Sequence, residues 1–98
     1  MVRQPAYLYE FGPFCLDPAD RLLSCGGEAV PLSPKAFDLL LALVERQGRL
    51  LEKNELMRLV WPDTFVEEAN LSYTISLIRK ALGERAASQQ FIETVPKH

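Results

Sequence analysis

Residues 67–83 read Glu67-Glu68-Ala69-Asn70-Leu71-Ser72-Tyr73-Thr74-Ile75-Ser76-Leu77-Ile78-Arg79-Lys80-Ala81-Leu82-Gly83. At 100° per residue, Leu71, Ile75, Ile78 and Leu82 fall within about 60° of one another, which makes them the buried stripe of an amphipathic helix. Glu67 and Glu68 suit the positive end of the helix dipole and Arg79 and Lys80 the negative end, so the helix is expected over 67–82 and stops at Gly83. The opposite face carries Ala69, Tyr73, Ser76, Leu77 and Lys80, flanked by Asn70, Ser72 and Thr74. A helix that merely rests on a globule shows solvated Glu/Lys pairs there. Small residues let a helix approach a surface closely, Asn and Ser can hydrogen-bond base edges, and Tyr and Lys can reach phosphates. The face is therefore either a plain wet surface or a contact surface.

Working outward, Ser33-Pro34 has the chemistry of a helix start, with Ser as N-cap and Pro at the first helical position. Phe37, Leu40, Leu41 and Val44 recur at helical spacing, predicting a helix over 34–47 with Gly48 as its stop. A second helix is expected over 52–60, with Leu56, Leu59 and Val60 as its stripe and Trp61-Pro62 ending it. Residues 7–16 carry Tyr7, Tyr9, Phe11, Phe14 and Leu16 and read as one aromatic strand bent at Gly12-Pro13. Turn chemistry at Asp17-Pro18-Ala19-Asp20 and at Gly26-Gly27 separates it from strands at 21–25 and 28–32, completing a three-strand antiparallel meander. Beyond a polar stretch at 84–90, Phe91-Ile92-Glu93-Thr94-Val95 reads as a strand. Helix, short turn, helix with a contact face, then strand is the order of a helix-turn-helix with a wing, an α+β architecture. With no repeat, linker or low-complexity segment, residues 1–98 read as a single domain.

The 98 residues carry 11 Lys/Arg and 13 Asp/Glu, a net charge of −2, so bulk positive charge explains nothing about this chain. The acidic excess sits in residues 1–48, leaving the second half neutral, and a polyanion would have to be met there by local placement. No apolar run approaches the roughly 20 residues of a bilayer span, and no signal peptide is visible, so a cytoplasmic location is expected. Cys15 and Cys25 lack the spacing of a disulfide framework or zinc site and read as two buried thiols. The single histidine, His98, is terminal, and no phosphate loop, GxSxG or HExxH occurs. Adjacent Glu67 and Glu68 point about 100° apart and cannot oppose each other across a cleft. Neither an enzyme nor a metal or cofactor is expected.

The run from Phe11-Gly12-Pro13-Phe14 through Leu32-Ser33-Pro34-Lys35-Ala36-Phe37-Asp38-Leu39-Leu40 resembles the DNA-binding effector domain of OmpR/PhoB-type response regulators. Leu59-Val60-Trp61-Pro62, Val66-Glu67-Glu68, Ile75-Ser76-Leu77-Ile78-Arg79-Lys80-Ala81-Leu82 and Phe91-Ile92-Glu93-Thr94-Val95-Pro96-Lys97 carry the resemblance across nearly the whole chain, in order and with matching gaps. It is most similar to the ToxR/CadC-like branch, where this module stands at the N-terminus of a larger regulator that can be membrane-anchored. The resemblance implies a winged helix in a bacterial signal-transduction protein of the two-component or phosphorelay kind. Its third helix would enter the major groove of double-stranded DNA, and its C-terminal hairpin would touch the neighbouring minor groove. Carried over position by position, Asn70, Tyr73, Thr74, Ser76 and Leu77 match recognition-helix contacts, and Arg79 and Lys80 a basic pair serving the DNA backbone; Ser72, flanking that face, and Lys97, after the first wing strand, are further DNA-contact candidates. The loop Pro62, Asp63, Thr64, Phe65 and Val66 matches a segment that touches RNA polymerase in some relatives, and Trp61 a residue packed at the core edge.

Two departures from the family pattern stand out. Ser76 and Leu77 occupy positions where many relatives place cations, so the salt slope of DNA binding should be shallow, affinity modest, and tight binding dependent on dimerisation, tandem sites or additional protein segments. The family continues past Pro96-Lys97 with a second wing strand, so the hairpin is expected to be truncated at His98. Arg79 has two readings, a phosphate contact or a bridge to Asp38 or Glu68, while Arg46, Arg49 and Lys53 read as solvated charge or a phosphate grip. The alternative to DNA binding is a winged helix kept as a protein-interaction module, favoured by the acidic total and the missing cations.

Overall fold

The computed structural model describes residues 8–46 and 50–83. Four short strands come first: β1 (Tyr9–Phe11), β2 (Phe14–Asp17), β3 (Leu22–Cys25) and β4 (Glu28–Ala29), paired antiparallel in sequence order. Three helices follow: α1 (Pro34–Glu45), α2 (Lys53–Val60) and α3 (Glu68–Gly83).

The expected bent strand over 7–16 is two strands. Phe11 pairs with Phe14, so Gly12 and Pro13 are the two central residues of a hairpin turn. Gly12 has φ 55°, a positive value that a type II′ turn requires of its first central residue. At the β3–β4 turn, Gly26 and Gly27 both have positive φ, the sign pattern of a type I′ turn. The sheet is thus a four-strand meander. The strand expected over 28–32 shortens to Glu28–Ala29: buried Val30 still donates its N–H to Leu23 O at 2.7 Å, one further bond in the β3–β4 register, and Pro31 has no N–H to extend the ladder.

Inward-facing Phe14, Leu16 and Leu23 join Phe37, Leu40, Leu56, Val60, Leu71, Ile78 and Leu82 in one core. Phe11 and Phe14 stack across the first hairpin with ring centroids 5.5 Å apart. Cys15 pairs with Ser24, and Cys25 with Phe14, so the two thiols project to opposite faces of the sheet. Both are free and half-buried, where the sequence led us to expect full burial.

α1 begins as its sequence dictates: the Ser33 hydroxyl accepts from Ala36 N–H at 3.2 Å, with Pro34 at the first position. It closes at Glu45, with Arg46 as C-cap and its side chain donating to Ala42 O; the expected stop at Gly48 lies outside the described residues. Lys35 Nζ donates to Val60 O at 2.8 Å, tying the start of α1 to the end of α2. All three helix pairs touch, leaving α3 with one side in the core and the other outward. The expected wing strand at 91–95, and Lys97 with it, lie outside the described residues. Among the described residues, no helix is long and apolar enough to cross a membrane.

Candidate nucleic-acid interface

The candidate interface is the outward side of α3. Leu71, Ile78 and Leu82 are buried and Ile75 packs against them half-buried, so the expected stripe anchors the helix. On the opposite side Ala69, Asn70, Ser72, Tyr73, Ser76, Arg79 and Lys80 are exposed and Leu77 is half-buried. Tyr73, at 65% exposure, presents a large aromatic ring to open space. The helix therefore projects the expected set outward with one exception.

Thr74 is 5% exposed, and its hydroxyl donates to Asn70 O at 2.7 Å. Its place in a contact face is corrected: it lies about 70° from the centre of the buried stripe and about 115° from the centre of the outer face. Its methyl group packs inward and its one donor is spent on the helix backbone. Ser76 makes the same bond to Ser72 O at 3.0 Å but is exposed, so its oxygen lone pairs still face outward.

The cations are distributed unevenly. Lys80 is exposed at the end of α3. Arg79 is also exposed, yet already holds an interaction within the chain. Of the carboxylates considered for it, Asp38 pairs with Arg21 at 2.8 Å and Glu68 pairs with Lys53. That second pair fastens the start of α2 to the start of α3 and engages Lys53 within the fold. Arg46 pairs with Glu45, and Arg49 lies outside the described residues.

The loop before α3 is a second exposed segment. Pro62, Asp63, Thr64 and Phe65 are exposed, Phe65 at 96%, while Val66 is half-buried. Phe65 and Val66, with Met57 and Trp61 from α2 and its C-cap, line a shallow open depression. Trp61 packs against the core edge, as expected, and its backbone N–H donates to Met57 O at 2.8 Å. A nearly bare phenylalanine beside a depression was not legible from the sequence, where Phe65 was one member of a matched loop.

Comparison with known proteins sets this geometry in a family. The model for "transcriptional regulatory protein, C terminal" matches residues 27–98. The chain is 36% identical over 89 residues to a cholera toxin homolog transcriptional activator of Vibrio parahaemolyticus, covering 86% of this chain and 30% of that protein. It is 31% identical to the transcriptional activator CadC of Escherichia coli, covering 88% of this chain and 17% of CadC. With the response regulator SaeR of Staphylococcus aureus, identity is 30% over 94% of this chain and 41% of SaeR. The chain thus spans less than half the length of these relatives. Among solved structures, the DNA-binding domain of E. coli CadC superposes with a TM-score of 0.83 at 28% identity, covering 97% of this chain and 89% of that one. The Klebsiella pneumoniae RstA DNA-binding domain, solved in complex with the RstA box, superposes at 0.74 with 29% identity, covering 90% and 88%. With its four-strand sheet, its three helices and a family match over residues 27–98, the chain belongs to the transcriptional regulatory protein C-terminal family of OmpR/PhoB-type winged helices.

Proposed function

We infer that this chain binds double-stranded DNA sequence-specifically as the effector module of a bacterial transcription regulator in the cytoplasm, with α3 in the major groove. The observation that carries the reading is the two-sidedness of α3: Leu71, Ile78 and Leu82 lock one side into the core while Asn70, Ser72, Tyr73, Ser76 and Lys80 project from the other. A projecting helix of about 10–12 Å diameter suits a major groove of about 12 Å width. Asn70, Ser72, Ser76, Tyr73 and Leu77 are assigned to base edges, and Arg79 and Lys80 to the phosphate backbone. Lys97 is assigned to a wing contact. The acidic total does not oppose this, because phosphate contacts depend on the charges that face the duplex.

The loop Pro62 to Val66 is assigned to a protein partner, RNA polymerase. Phe65 supports that assignment, since an aromatic side chain left 96% exposed gains burial only from a partner. Self-association on tandem sites supplies the affinity that two cations late in α3 leave wanting. Selection of bound duplexes from a random pool, with electrophoretic shifts at low salt, tests the reading. A recurrent short half-site supports it, and failure to retain any duplex returns the chain to a protein-interaction role.

A further inference from the structure

The outward side of α3 is divided along its length. With Ala69 and Lys80 near the midline, Ser72, Ser76 and Arg79 fall to one side, and Tyr73, Leu77 and Asn70 to the other. Asn70, Tyr73 and Leu77 stand at i, i+3 and i+7, so they form a single row, with Ala69 at its foot leaving room beside it. Tyr73 and Leu77 are neighbours one turn apart, one 65% exposed and the other half-buried. Between Glu68 and Arg79 the helix carries no charged residue.

We propose that this row reads thymine methyl groups and adenine edges, so that the base pairs under the middle of α3 are A·T pairs. The inference rests on the DNA-binding reading above and specifies its target. Of the four bases only thymine offers a methyl group in the major groove, and apolar side chains are its natural contact. Guanine is most often read by a forked Arg or Lys on O6 and N7, and no Arg or Lys stands between Ala69 and Ile78. The Asn70 side-chain oxygen can accept from adenine N6 while its amide N–H donates to adenine N7. Ser76 strengthens the case from the other side of the midline. Its proton is committed to Ser72 O at 3.0 Å, so outward it accepts, which suits the amino group of adenine or cytosine and not guanine O6. Thr74 is turned into the core and reads nothing.

The test begins with sites selected by the intact chain from random duplex DNA, followed by replacement of single thymines with deoxyuridine, which removes only the methyl. Each thymine beneath the row should lose roughly fourfold in affinity, the factor for one buried methyl-sized group. The loss should vanish in Tyr73→Ala or Leu77→Ala for the thymine each covers, and persist in Tyr73→Phe, which keeps the ring. Tyr73 lies on the surface, so its variants keep the fold and carry the test even where Leu77→Ala does not. Comparing variants on the same duplex separates methyl contact from any change in duplex stiffness. Guanine-dominated half-sites, or equal binding to thymine and deoxyuridine sites, would overturn the inference while leaving DNA binding intact. Retention of no duplex at low salt removes both, and the apolar row then belongs to a protein partner.

Discussion

Arg21 and Asp38 join the sheet to the first helix, with the guanidinium 2.8 Å from Asp38 Oδ1. The same group donates to Pro34 O at 3.2 Å and lies 4.7 Å from the centre of the Phe37 ring. Arg21 reaches this position with φ 52°, a left-handed conformation that costs a non-glycine residue about 1–2 kcal/mol. Three contacts offset that strain: a half-exposed ion pair, a carbonyl bond and a cation–π contact, each worth on the order of 0.5–1 kcal/mol. They hold the β2–β3 turn over the start of α1.

Arg21→Ala should therefore lower stability by about 1–2 kcal/mol in urea denaturation, since the contacts go and the strain stays. Arg21→Gly should be milder, by up to about 1 kcal/mol, because glycine adopts the left-handed conformation freely. Equal losses in both would show that the backbone strain is not felt. Neither variant should change which DNA sites are selected, as Arg21 belongs to the β2–β3 turn and not to α3.

Thr74 separates fold from recognition. Thr74→Val keeps shape and methyl packing and loses one hydroxyl bond to a carbonyl in the helix, so stability should change by no more than about 1 kcal/mol. Site preference in the random-pool selection should stay as it is. A changed preference would return Thr74 to the contact face.

Phe65 is the opposite case. Phe65→Ala removes a side chain with almost no packing in the chain, so its effect on stability should lie within about 0.5 kcal/mol. DNA affinity should also hold, while transcription from a target promoter falls in a reconstituted system. Unaltered transcription would remove the polymerase assignment from the loop.

Much of this was legible because local chemistry and long-range packing agree. Ser33 and Pro34 specify a helix start without reference to anything else, and Ser33 caps Ala36 as the pair requires. The stripe of Leu71, Ile78 and Leu82 follows from spacing alone. What escaped depends on competition between signals. Gly12-Pro13 fits a bulge as well as a two-residue turn, and only the pairing of Phe11 with Phe14 decides between them. The resemblance matches Thr74 to a contact position although its helical angle puts it nearer the core, and its intrahelical bond is what makes burial tolerable. The exposure of Phe65 is set by the path of the chain between α2 and α3, which no residue spacing encodes.

Lys80 tests the electrostatics of the docked helix, and Ser76 tests them from the other direction. Lys80 is exposed at the end of α3 and is the residue proposed for the backbone of a duplex. Lys80→Ala should weaken binding to all sequences by a similar factor and reduce the slope of log K against log salt by about 1. Ser76→Arg places a cation on an exposed position one turn earlier, at the cost of a surface hydroxyl bond to Ser72 O. It should steepen the slope by about 1 if the new guanidinium meets a phosphate. It should instead bring guanine into the selected half-site if it meets a base, since Arg on guanine is the commonest specific contact. Either result places residue 76 against the duplex, and a variant identical to the parent in slope and selection would take α3 out of the groove.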